Sequence, residues 1–294
     1  MTRIVIFPGQ GSQQKGMGAD LFPMFPELVQ IADRELGYSI VELCVEDPRQ
    51  QLGQTQFTQV ALYVVNALMF LRNLKQTGKL PHFLAGHSLG EYDALFAARV
   101  FDFATGLRLV KQRGALMARA SGGGMAAVIG LTAEKISEAL AASGFRAIDL
   151  ANLNAPNQTV ISGLEADLNA AIPKLEGAGA QMVKKLNVSA AFHSRYMADA
   201  QREFVKVLDT AEFQPPSIPV IANVTARPYE PDQIKSVLAR QITSPVRWTE
   251  TVQWLMTQPD AQFEEVGPGN VLTGLVRRIR GVPAVAVATA ASTR

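Results

Sequence analysis

"LAGHSLGEYDAL", residues 84–95, decides how this chain folds. A short apolar run, "PHFLAG" (81–86), leads into Gly86-His87-Ser88-Leu89-Gly90, and "GEYDALFAARV" behind it has helical spacing. Strand, Gly-x-Ser-x-Gly, helix is the pattern of a nucleophile elbow. The turn is tight enough that side chains at its flanks would strike neighbouring strands, so glycine is needed there. The serine then stands at a helix N-terminus, where free N–H groups and the dipole favour developing negative charge. The plainer alternative is a glycine-rich turn whose serine caps the helix.

Outward from the elbow, strand-like and helix-like runs alternate, which predicts an α/β architecture with a largely parallel sheet. "RIVIF" (3–7) is a first strand ending in the loop "PGQGSQ". "IPVIANV" (218–224) and "AQFEEVG" (261–267) read as later strands, and "PGNVLTGLVRRIR" (268–280) as an amphipathic helix. The middle differs: "MAAVIGL", "AEKISEALAASG", "AIDLANL", "QTVISG", "ADLNAAIPKLEGAG" and "QMVKKLNV" run strand, helix, strand, strand, helix, strand. That order matches a split βαβ, ferredoxin-like unit. The expected division is a small subdomain at 124–189 inserted in a large one made of 1–123 and 190–294.

Composition narrows the function. The chain has 294 residues and a net charge of only +2, with no global electrostatic case for nucleic acid or a membrane surface. The N-terminal apolar run is cut by Pro8 and Gly9, too short for a signal-peptide core. "VALYVVNALMFL" (60–71) falls well below the roughly 20 residues that span a bilayer, and reads as a buried helix of a soluble protein. The single cysteine, Cys44, has no internal partner and reads as a core residue, so a reducing, cytoplasmic setting is the default.

A serine nucleophile needs a general base, most often histidine. There are three: His82, His87 and His193. His87 adjoins Ser88 in a sharp turn, where neighbours point apart, and so packs locally. His82 begins the strand below the elbow and belongs to the surface. His193, in "VSAAFHSRYM", follows the last strand of the small unit, where the chain re-enters the large one. Elimination favours it as the base, against a satisfied structural histidine. "FPGQGSQQKGMG" (7–18) fails as a phosphate loop, having Gln14 where G-x-G-x-x-G needs glycine and Met17 where a Walker lysine belongs. Such a loop can instead offer a backbone N–H to an oxyanion.

"FPGQGSQ", "GHSLGE", "AAFH" and "EVGPGNVLTGL", in this order and spacing, resemble the malonyl-CoA:acyl carrier protein transacylase family over nearly the whole chain. "GEYDALFAARVFDFATGLRLVKQRG" and "SAAFHSRYM" further resemble the discrete acyltransferases that serve polyketide synthases in trans. The resemblance implies an α/β-hydrolase-like large subdomain with a ferredoxin-like small one. It implies malonyl-CoA as donor, an acyl carrier protein as acceptor, no cofactor or metal, and a monomer. It places the nucleophile at Ser88, the base at His193, and the oxyanion N–H groups at Gln10 and Leu89. Arg113 in "VKQRGALM" corresponds to the arginine that grips the substrate carboxylate, a role suited to its rigid fork. Gln241 corresponds to the glutamine whose backbone carbonyl orients the histidine. Without the resemblance, Arg113 reads as a solvated charge beside Lys111.

Phe192 before the histidine and Leu89 after the serine match the malonyl type of the family, in which methylmalonyl members carry Ser and Gln. Ala190 departs from modular synthases, which often have His there. The resemblance thus implies ping-pong malonyl transfer through an acyl-serine. Three rivals stand beside it: an acyl hydrolase of the same fold, an ordinary α/β-hydrolase esterase, and a noncatalytic carrier-protein docking module. A hydrolase of uncharged chains has no use for Arg113. An esterase leaves "PGQGSQ" unexplained, and a docking role requires none of Ser88, His193 and Arg113.

Overall fold

The computed structural model describes residues 1–281. The chain opens with β1 (Thr2–Phe7), α1 (Pro26–Leu36), α2 (Thr55–Thr77), β2 (Phe83–Gly86), α3 (Gly90–Ala97) and α4 (Phe103–Ala118). It continues with β3 (Gly123–Ile129), α5 (Ala133–Ala142), β4 (Asp149–Ala155), β5 (Gln158–Leu164), α6 (Glu165–Gly177) and β6 (Met182–Lys185). Last come α7 (Ala198–Thr210), β7 (Val220–Ile221), α8 (Ile234–Gln241), α9 (Trp248–Met256), β8 (Ala261–Glu265) and α10 (Val271–Arg280).

Four strands form a parallel sheet in the order β7-β2-β1-β8. Ile4 to Phe7 of the central β1 are all buried, as in a parallel strand covered on both faces. The two-residue alternation sorts them. Val5 and Phe7 join the large core with α2, α3 and α4, while Ile4 and Ile6 join a smaller core under α9 and α10. The second sheet is antiparallel, in the order β4-β5-β3-β6, which is the split βαβ arrangement. One face, with Ala126, Val128 and Ile161, packs under α5 and α6. The other, with Met125, Ala151 and Val160, belongs to the large core, so this sheet lies against the body that carries the elbow.

Several elements differ in extent from the sequence reading, α2 and β7 most of all. α2 runs well past the apolar stretch 60–71, and by length and composition alone could cross a membrane. Yet 67% of its most apolar window is buried inside the fold. β7 is only Val220–Ile221, shorter than 218–224. Pro219 has no N–H and contributes only its carbonyl, to the Leu84 N–H at 2.9 Å. Beyond Ile221 the backbone turns, with the Ala226 N–H on the Ala222 carbonyl, and this releases Asn223 for another role.

Candidate active site

β2 delivers the chain to the elbow in the middle of the parallel sheet. A Cβ on Gly86 would come within 1.9 Å of the Gly90 backbone, and one on Gly90 within 2.1 Å of the Phe7 carbonyl oxygen. Those contacts are why the flanking positions are glycine. Ser88 itself has φ 51°, a left-handed conformation costly for a residue with a Cβ. Asn223 braces it from the turn after β7: its Oδ1 accepts from the Ser88 N–H at 2.7 Å and its Nδ2 donates to the Gly86 carbonyl at 2.6 Å.

His193 is buried and also left-handed, at φ 54°. Its Nδ1 donates to the main-chain carbonyl of Gln241 at 2.9 Å. A carbonyl can only accept, so this bond places the proton on Nδ1 and leaves the Nε2 lone pair to the Ser88 hydroxyl, 2.7 Å away. Burial and then the Arg113 charge pull the imidazole down to about 3, so it is neutral and able to take a proton.

The loop after β1 crosses directly over the elbow. A Cβ on Gly9 would lie 2.3 Å from the His87 carbonyl oxygen, so only glycine permits that approach. Asn66 anchors the loop by donating to the Pro8 carbonyl at 3.1 Å. The backbone N–H groups of Gln10 and Leu89 donate to no acceptor among the described residues. Both residues line the serine's cavity. Two free N–H groups beside a nucleophile are what an oxyanion requires.

Arg113 overturns its reading as a solvated helix charge: it is 1% exposed, whereas Lys111 reaches the Glu35 carbonyl at the edge. Its Nη1 donates to Gln59 Oε1 at 2.7 Å, and its Nη2 to Gln241 Oε1 at 2.9 Å and to Ser88 Oγ at 3.2 Å. All three acceptors are neutral, and Nε has no partner among the described residues. The guanidinium also lies over the Tyr92 ring, 5.5 Å from its centre. A buried cation without a buried anion in contact is costly, and this one faces the serine.

Ser88, His193, Gln10, Leu89, Arg113 and Phe192 line one small cavity of about 80 Å³, and Gln241 is buried behind it. Met125, Asn152, Leu186 and Val188 of the antiparallel sheet and its exit close the other side. His82 is exposed and accepts from the Arg3 N–H at 3.0 Å. His87 is half-buried, bound to Asn154 at 2.8 Å and edge-on to Trp248. Sequence reasoning missed Asn223, Gln59 and Glu91. An isolated amide carries no periodic signal, and Glu91 reads as an ordinary acid in a helix's first turn. In the fold Glu91 is buried, and burial pushes its carboxyl up to about 7 against the pull of Tyr229, Gln241 and Asn223.

Residues 4–292 match the model of the acyl transferase domain family. The polyketide biosynthesis malonyl CoA-acyl carrier protein transacylase BaeC of Bacillus velezensis is 54% identical over 276 residues, 94% of this chain and 96% of that protein. The malonyl CoA-acyl carrier protein transacylase structure from Burkholderia pseudomallei superposes with a TM-score of 0.94. Its identity is 47%, over 97% of this chain and 100% of that one. A malonyl-transacylase solved in complex with a type II polyketide synthase acyl-carrier protein gives a TM-score of 0.91. There the identity is 38%, over 96% and 94% of the two chains.

Proposed function

The chain belongs to the acyl transferase domain family, and from that premise we infer that it moves malonyl from malonyl-CoA to the phosphopantetheine thiol of an acyl carrier protein. The observation that carries the reading is Arg113, a buried guanidinium with only neutral partners, 3.2 Å from the Ser88 hydroxyl. The malonyl carboxylate is the anion it lacks, and the arginine fork can bind it bidentately.

His193 Nε2 takes the Ser88 proton as Oγ attacks the thioester carbonyl. The tetrahedral oxyanion is held by the Gln10 and Leu89 N–H groups. Collapse breaks the C–S bond, and coenzyme A leaves as the thiol with the proton from His193. The carrier-protein thiol then attacks the malonyl ester, giving its proton to His193; collapse breaks the C–O bond to Ser88, whose oxygen takes that proton back, and malonyl leaves as the carrier-protein thioester. A backbone carbonyl leaves His193 a weaker base than a triad carboxylate would, and a thioester is reactive enough to tolerate that. Phe192 and Leu89 fill the space where an α-methyl group would sit.

The trans-acting polyketide role is supported by the likeness to BaeC. We place the enzyme in the cytoplasm as a monomer. Cys44 is buried, and burial lifts its thiol to about 12, so it is an unreactive core group that calls for no oxidising setting. The rival hydrolase reading leaves Arg113 facing an uncharged acyl chain. Incubation with malonyl-CoA alone should leave one malonyl ester on Ser88, seen by intact-protein mass and discharged by holo carrier protein. Ser88→Ala should abolish it, and an adduct persisting on that variant would place the nucleophile elsewhere.

A further inference from the structure

Behind the cavity, one residue touches the nucleophile, the base and the arginine. The Gln241 main-chain carbonyl holds His193. Its side-chain Nε2 donates to the Ser88 carbonyl at 2.9 Å and to Glu91 Oε2 at 2.5 Å, and its Oε1 accepts from Arg113 Nη2 at 2.9 Å. Which end of an amide faces which neighbour is decided by what the neighbours can donate or accept. Arginine only donates, so Arg113 takes the oxygen. An ionised carboxylate only accepts, so Glu91 takes the nitrogen.

Glu91 is 0% exposed, and its other contacts are donors too: the Tyr229 hydroxyl and the Asn223 N–H at 3.2 Å, both on Oε1. Three donors and no acceptor surround it, which fits the carboxylate form. Asn223 is also the elbow's brace, so the carboxylate is tied to the same framework as Ser88.

Building on the malonyl-transfer reading, we propose that Glu91 is a positioning residue for acyl selectivity. It locks the Gln241 amide so that Arg113 Nη2 is held toward Ser88, ready for a substrate carboxylate. The base stands outside this device, because His193 hangs on a main-chain carbonyl that does not turn with the amide. Acyl groups with a free carboxylate therefore depend on Glu91 more than uncharged ones do. A bare negative charge would act oppositely: it would compete with the substrate for Arg113, and its removal would strengthen malonyl loading.

The test is Glu91→Gln, which keeps the shape and removes the requirement for a donor. Acyl-enzyme formation from malonyl-CoA and from acetyl-CoA is followed by intact-protein mass, with folding checked by thermal melting. Losing a buried bond to a charged group should slow malonyl loading by about 30-fold and acetyl loading by no more than about threefold. Tyr229→Phe removes one support of Glu91 and leaves its charge, and should shift the same ratio in the same direction by about threefold. A malonyl-to-acetyl ratio that is unchanged or raised in Glu91→Gln, or equal losses for both, overturns the proposal. Should that variant not fold, Tyr229→Phe decides alone, and an unchanged ratio there is fatal. A wild type with no preference for malonyl would sink the parent reading instead.

Discussion

Around the end of β2 the molecule buries a guanidinium, two carboxyl groups and an imidazole: Arg113, Glu91, Asp93 and His193. The core under α5 and α6, by contrast, is aliphatic, from Ala126 and Val128 to Leu168 and Leu175. The backbones differ in the same way. Positive φ falls on Ser88 and His193 at the site, but only on glycines, Gly130, Gly144 and Gly179, within Gly123–Lys185. Desolvated charges and left-handed non-glycine residues each cost stability. At Ser88 and His193 that backbone cost falls on reacting residues, although Asp47, Gln50, Arg99, Ala226 and Asp260 also have positive φ. The antiparallel unit carries no such load, and its contribution is a cover over the serine.

If that contrast is right, the two regions should fail in different currencies. The largest effect belongs to Arg113→Ala. An ion pair with the substrate in a partly dry pocket is worth several kcal/mol, so malonyl loading should fall by about 1,000-fold. Acetyl-CoA has no carboxylate and should load no worse. Equal loss for both substrates would mean that Arg113 serves the fold rather than the substrate, and the contrast would collapse on its polar side.

The converse test is in the other core. Leu168 is fully buried in the antiparallel unit, and Leu168→Ala should cost about 3 kcal/mol of stability, read by urea unfolding. The malonyl-to-acetyl loading ratio should stay within about twofold of wild type, because a distant cavity changes no group at the serine. A large change in that ratio would show the two regions to be coupled.

Phe192 sits at the seam between them, buried in the large core and lining the cavity. Phe192→Ser should raise methylmalonyl relative to malonyl loading by about 10-fold, since one methyl group is worth ~1–3 kcal/mol. The measurement is competition between the two coenzyme A esters. An unchanged ratio would move the selectivity to Leu89.

Much of the architecture was legible in the chain alone. The short apolar run of "RIVIF", the glycine turn at 86–90 and the strand–helix order of the middle segment are local signals, and each became the element expected. Ser88 and His193 were reachable as well, one from its turn and the other by elimination among three histidines. Arg113 was not: a single arginine beside a lysine on a helix reads as solvated, and its role came only with the resemblance. Glu91, Gln59 and Asn223 carried no local signal that set them apart. Hydrophobic periodicity records which face of an element turns inward, and that is written within a few neighbouring residues. Whether a polar group there is desolvated, and what it then bonds, depends on strangers in the sequence: Gln59, Glu91, Arg113, Asn223 and Gln241 meet only because the fold brings α2, α3, α4, the turn after β7 and α8 to one point.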